Sequence, residues 1–243
     1  MNPSPDGTVV VAAIGDLHVG EDHQQPYRDL FIEISQRAHV LALCGDLTNF
    51  GRTVEVEILA DDLKACTIPV VAVLGNHDYE AGQPAEVRRI LHSVGVHVLD
   101  GEAVELHGVG FAGVKGFVGG YGRFMLSAFG EPAMSAFVQE SVNEALKLET
   151  AIRTLRVERA MAVMHYSPIP ETLVGEPVEI FPFLGCSRLA EPIDRFDEIR
   201  CAVHGHAHRG TYFGRTPKGV PVYNVARFVV QAECGRPYAL LEL

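Results

Sequence analysis

Three times in its first eighty residues the chain runs through an unbroken apolar stretch and then turns on a glycine followed by a polar side chain. Val9 to Ile14 ends in Gly15-Asp16-Leu17-His18, Val40 to Cys44 ends in Gly45-Asp46-Leu47-Thr48-Asn49, and Pro69 to Leu74 ends in Gly75-Asn76-His77-Asp78. Each apolar run reads as a buried strand bounded by a turn. The stretches between them read as helices. Pro26 to Arg37 carries Leu30, Phe31 and Ile34 at helical spacing, and Thr53 to Lys64 carries Val56, Leu59, Ala60 and Leu63. Pro84, suited to a first helical turn, opens a short helix through Val87, Ile90 and Leu91. The order βαβαβα implies a parallel sheet with right-handed crossovers. Ligands bind such sheets at the carboxyl ends of the strands, so the polar residues after each run are delivered to one rim. Gly75 is expected to free the backbone for the sharp turn that places Asn76 and His77 there.

From Val96 onward the texture changes to short strands with close turns, Val96 to Leu99, Ala103 to Leu106 and Val109 to Gly113, which suggests a second, more antiparallel sheet. A glycine-rich segment from Lys115 to Phe124 follows, and then a long helix from Pro132 to about Leu155 with Val138, Val142, Ala145, Ile152 and Leu155 on its buried side. Strand Ala160 to Met164 ends at His165. Strand Ile199 to Val203 runs into His204-Gly205-His206-Ala207-His208, and Val220 to Val225 and Tyr238 to Leu243 read as closing strands.

No Ser/Gly/Pro-rich linker divides the 243 residues, so a single domain, 1–243, is expected. The chain is 47% apolar, yet every continuous apolar run falls far short of a bilayer span. Met1 to Gly7 contains no Lys or Arg, and the first apolar run serves better as a strand than as a signal core, so a cytoplasmic protein is expected. Five cysteines, scattered without metal-type spacing, fit reduced thiols. A formal charge of −11 argues against nucleic acid as a partner and against a nuclease, which would carry a basic stripe.

Strand ends supply Asp16, His18, Asp46, Asn76, His165, His206 and His208, a mixed oxygen and imidazole set suited to Mn, Fe, Zn, Co or Ni. Seven ligands exceed one tetrahedral site. They suit two ions about 3.5–4 Å apart with one carboxylate bridging, an arrangement able to clamp both oxygens of an in-line phosphoryl displacement by metal-bound hydroxide. Taken singly, D-x-H and Gly45-Asp46 read as ordinary loop and turn chemistry and His165 as a satisfied histidine, whereas Gly75-Asn76-His77-Asp78 and Gly205-His206-Ala207-His208 are balanced between turn and metal readings. In series, the D-x-H, G-D-x-x-N, G-N-H-D, lone His and G-H-x-H motifs resemble the calcineurin-like dinuclear metallophosphoesterase superfamily from Val9 to Leu243.

The resemblance implies a four-layer α/β/β/α sandwich with two mixed sheets. It implies that Asp16, His18 and His208 hold one metal, that Asn76, His165 and His206 hold the other, and that Asp46 bridges them. By the same resemblance, His77 stays free of metal to contact the phosphate and protonate the leaving group, with Asp78 orienting it. The expected activity is hydrolysis of a phosphomonoester or phosphodiester of a small soluble molecule. Cyclic-nucleotide phosphodiesterase and nucleotide pyrophosphatase activities stay open, as does a non-catalytic metal-binding scaffold.

Two loops, 115–130 and 166–187, are expected near the site. The glycines of the first either let it pack tightly or let Lys115, Tyr121 and Arg123 approach the substrate. Phe181 and Phe183 either wall a pocket or meet another subunit. His204 is read as supporting or packing against the ligands, His23 as solvated, and His39, His92, His97 and His107 as structural or exposed.

Overall fold

The computed structural model describes residues 7–22, 24 and 26–243; His23 lies outside them. Strands β1 (Val10–Ile14), β2 (Val40–Cys44), β3 (Val70–Val73) and β4 (Val96–Val98) pair in parallel, and β11 (Ala239–Glu242) closes the far side of β1 antiparallel. The second sheet has the order β5 (Glu102–Leu106), β6 (Val109–Val114), β7 (Ala160–Met164), β8 (Ile199–His204), β10 (Pro221–Asn224), β9 (Phe213–Arg215). It is less antiparallel than its short strands suggest: β6, β7, β8 and β10 run parallel, and only the outer strands β5 and β9 reverse.

The apolar runs do not alternate with polar residues because both strand faces are covered. Val11, Ala13, Val40, Ala42, Val71 and Val73 point toward Phe111, Met161, Val163 and Val203 of the other sheet. Their neighbours Ala12, Ile14, Leu41, Leu43 and Ala72 point outward to helices α1 (Arg28–Arg37), α2 (Thr53–Leu63) and α3 (Pro84–Ser93) through Phe31, Ile34, Val56, Leu59 and Ile90. On the opposite outer face Ala112, Val114, Ala162 and Met164 meet Leu148, Ala151 and Ile152 of α4 (Pro132–Thr154), and Ile193. Four layers, helix on sheet on sheet on helix, therefore share three apolar cores.

Helix α4 is turned from the expected stripe. Ser141 and Glu144 are buried, whereas Val142 and Ala145 are partly exposed. The reason is polar: Ser141 Oγ donates to the Val118 carbonyl, and Glu144 accepts from Gly116 N at 2.8 Å and pairs with Lys147 at 2.7 Å. The helix thus anchors the glycine-rich loop. Further helices, α5 (Phe181–Leu184), α6 (Ala190–Arg195) and α7 (Arg227–Cys234), complete the fold. No helix among the described residues is long and apolar enough to cross a membrane.

Candidate metal centre

Strands β1, β2, β3, β7 and β8 all end at one rim, where the backbone is stitched across both sheets. Asp16 N donates to Gly45 O, His18 N to Asp46 O, Gly15 N to Val225 O and Gly205 N to His165 O. The rim is strained. Among the described residues, Asp16, His18, Asp46 and His206 are four of the five non-glycine residues with positive φ, at 62°, 47°, 48° and 68°. Such a conformation costs of order 1–3 kcal/mol per residue and persists only where the surroundings enforce it.

These side chains converge. Asp16, His18 and His208 bring one ligand atom each within 4.8 Å of one another, as do His18, Asp46 and His77, and Asp46, His165 and His206. Asp46 belongs to two of these groups. Its Oδ1 lies 3.3 Å from His165 Nε2, and its Oδ2 lies 3.9 Å from the Nε2 atoms of both His18 and His77. Asn76 Oδ1 is 3.0 Å from His165 Nε2. The glycines before the polar residues provide space. A Cβ on Gly75 would fall on the Asp46 carboxylate and its backbone nitrogen, and one on Gly205 would fall 2.6 Å from Asp16 Oδ2. Gly75 does not adopt positive φ, so clearance and not conformational freedom explains it. Gly75→Ala is expected to displace Asp46, reduce bound metal by at least half in elemental analysis and lower turnover by about 100-fold.

The donor set calls for a cation. His165 Nδ1 lies 3.0 Å from the Cys44 carbonyl, which can only accept, so Nδ1 carries a hydrogen and Nε2 is the atom turned toward the Asp46 carboxylate and Asn76. Lone pairs facing one another in a buried site repel unless a positive charge lies between them. His18 Nε2 is buried without any hydrogen-bond partner. Burial holds the His18 imidazole below its ordinary pKa, against the pull of Asp46 and Asp16. Burial, with His165 beside it, takes His206 down to about 3. Both effects favour the neutral ring that a metal requires. Asp16 would be raised by burial, yet it is lowered overall, chiefly by the hydrogen bond from His208. His208 Nε2 meets Asp16 Oδ1 at 3.0 Å and is raised by that bond. His206 uses its Nε2 to donate to the Phe183 carbonyl at 3.2 Å, which leaves Nδ1 for coordination.

His77 stands at the edge of this cluster, its ring 4.6 Å from that of His18. Its Nδ1 donates to the Asn49 carbonyl at 2.7 Å, so Nε2 turns toward Asp46. The expectation that Asp78 orients His77 is not met. The fully buried Asp78 carboxylate accepts from Gly75 N, Leu47 N, Thr48 N and Thr48 Oγ1 at 2.8, 3.2, 2.8 and 2.6 Å. Burial, reinforced by Asp46, raises its pKa to about 6. Asp78 clasps the β2 and β3 loops together, and the residue that orients His77 is Asn49, through its main chain.

The remaining candidates belong to none of the three donor groups among the described residues. Lys115 accepts His165 N and Tyr166 N on its carbonyl, while its ammonium donates to Gly116 O and sits over the rings of Phe117, Tyr166 and Tyr79 at 4.9, 5.3 and 5.5 Å. Tyr121 donates to the Ser167 carbonyl and packs with Leu173, Leu184 and Ala207, pinning the loop instead of facing the rim. Arg123 lies exposed over Phe124. His204 is buried, donating to Gly205 O and accepting from Thr172 Oγ1, both at 2.8 Å, and burial takes its pKa down to about 4. Phe181 packs with the Leu173, Leu184 and Ala207 group, and Phe183 is exposed. Tyr27 and Arg227 carry no motif, yet Arg227 donates to the Tyr27 hydroxyl, which donates to Leu17 O between Asp16 and His18. They brace the Asp16–His18 loop although 200 residues separate them.

Comparison with known proteins agrees with this geometry. A segment of 111 residues, 43% of this chain, is 30% identical to a probable cyclic nucleotide phosphodiesterase of Moraxella catarrhalis, and it spans 36% of that protein's length. Among solved structures, phosphopantetheinyl hydrolase from Mycobacterium tuberculosis superposes with a TM-score of 0.67 at 17% identity, over 96% of this chain and 95% of that one. A purple acid phosphatase from yellow lupin seeds superposes with a TM-score of 0.52 at 12% identity, over 87% of this chain and 38% of that one. At such identities the likeness is one of fold. The calcineurin-like phosphoesterase profile matches residues 9–210, from the first strand to just beyond His208. The motif series from Asp16 to His208 thus falls within a single continuous match, and the chain belongs to the calcineurin-like phosphoesterase family.

Proposed function

We propose that this protein hydrolyses a phosphomonoester or phosphodiester of a small molecule at two divalent ions bound to the rim. The carrying observation is the shared carboxylate: Asp46 belongs both to a cluster with His18 and to a cluster with His165 and His206, beside a His77 held by a carbonyl. In this reading Asp16, His18 and His208 hold one ion, Asn76, His165 and His206 the other, and Asp46 spans both. Bound ions would supply Lewis acidity and an activated water. His77, tethered through Nδ1–H, presents Nε2 to the phosphoryl group; as imidazolium it donates there first a hydrogen bond and then the leaving group's proton. Asn49 fixes that direction, and Asp78 keeps the Asp46 and Asn76 loops in register.

The test is direct. Protein reconstituted with manganese is expected to bind two ions per chain and to turn over nitrophenyl phosphate or bis-nitrophenyl phosphate. Full metal binding with no turnover of either ester would reassign the chain as a metal-binding scaffold. A narrower reading, cyclic-nucleotide phosphodiester cleavage, is favoured by the Moraxella relative. Hydrolysis of cyclic AMP in preference to both nitrophenyl esters is its expected result.

A further inference from the structure

Next to the rim, on the side of His18 and Asn49, lies an open cavity of about 440 Å³ with an uncommon charge balance. Among its described lining residues, Glu21, Asp22 and Glu55 bring three carboxylates against the single guanidinium of Arg52. Arg52 is already engaged: it pairs with Glu21 at 2.7 Å and lies 5.1 Å over the Phe50 ring. Glu55 is not fully engaged. Its side chain is 1% exposed, and Oε2 accepts from Phe50 N and Arg52 N at 2.9 and 3.1 Å, but Oε1 is buried without a partner. A buried carboxylate oxygen lacking a donor costs free energy that a donor arriving from outside would recover.

The cavity also lies where a departing group would go. It adjoins the rim at His18, whose ring lies 4.6 Å from that of His77, and at Asn49, whose carbonyl holds His77 Nδ1, so it is the open space beside the group that would protonate a departing oxygen. Building on the hydrolase reading, we infer that the cavity is the leaving-group pocket and that it selects an organic group bearing N–H donors and positive charge, an amino alcohol being the simplest case. A second phosphate or a carboxylate on that group meets like charge at the wall. Phosphate affinity itself belongs to the rim, so the pocket discriminates among esters by the charge they carry away from phosphorus.

Three non-hydrolysable phosphonates of matched size separate this from alternatives: 2-aminoethyl-, 2-hydroxyethyl- and 2-carboxyethylphosphonate, titrated calorimetrically into the manganese-loaded protein. Affinity is expected to fall in that order, by about tenfold per unit of charge for groups a few ångströms apart in a half-solvated site. The pair Glu21→Gln and Asp22→Asn, chosen because Glu55 holds backbone in place, is expected to compress the spread to about threefold or less with the thermal midpoint unchanged. Equal affinities, tightest binding of the carboxyethyl compound, no binding of any of the three, or a spread that survives the double substitution would each overturn the inference. Nitrophenyl ester turnover is read separately, so loss of the charge order with turnover intact sinks only the pocket assignment. Charge order without turnover sinks only the hydrolase reading.

Discussion

His77→Ala is expected to lower kcat by about 10²–10⁴-fold on nitrophenyl esters, the range for removing a positioned general acid, while the bound metal content stays at its wild-type value. The separation follows from geometry. The His77 ring faces Asp46 through Nε2 at 3.9 Å, its other ring nitrogen is spent on a main-chain carbonyl, and its backbone N–H, which donates to Asp46 Oδ1 at 2.9 Å, survives the substitution. Removing the ring leaves Asp16, His18, Asp46, Asn76, His165, His206 and His208 in place. Elemental analysis beside steady-state kinetics checks both halves. If metal is lost together with activity, His77 is a ligand and its assignment as proton donor falls. A leaving group of low pKa should depend less on His77 than one of high pKa, because it departs without a proton.

Asp78→Ala is the substitution expected to harm the fold most. It strands the backbone N–H groups of Leu47, Thr48 and Gly75 and the Thr48 hydroxyl in a site with no access to water. Each stranded buried donor costs roughly 1–3 kcal/mol, and partial relaxation brings the total to about 3–5 kcal/mol. For a chain of this length that lowers the thermal midpoint by roughly 10 °C, measured by calorimetry on metal-free protein. Activity falls too, through displacement of Asp46 and Asn76. A variant with an unchanged midpoint and only a kinetic defect would return Asp78 to the side of His77.

How much of this was legible beforehand depends on which chemical group carries the role. Side chains at the ends of apolar strands were readable. The runs ending at Gly15, Gly45, Gly75 and His165 announce their rim residues in order, and the seven side chains expected to converge do meet there. Roles carried by the main chain were not. The Asn49 carbonyl that holds His77 has no signature in residue identity. Asp78 misled because it adjoins His77 in sequence. In the 3₁₀ turn His77–Tyr79, adjacent side chains point roughly 120° apart, so neighbours in the chain cannot be neighbours in the site. Helix α4 shows the other limit. An apolar stripe locates a buried face only when burial is apolar, and Ser141 and Glu144 are buried to serve loop amides and carbonyls. Helix α7 escaped detection because Arg227 to Cys234 is short and carries the β-branched pair Val229 and Val230, which reads equally well as strand.

The double covering of the strands has a practical corollary for anyone wishing to retarget this enzyme fold. Residues such as Ala12, Ala42, Val71 and Val163 have packed neighbours above and below, so almost every interior exchange disturbs a sheet–sheet or sheet–helix contact. Glu21, Asp22, Phe50 and Arg52 are exposed outside that masonry and line the open cavity beside the rim. Libraries confined to them can explore new specificities while the cation cradle and its scaffolding stay untouched.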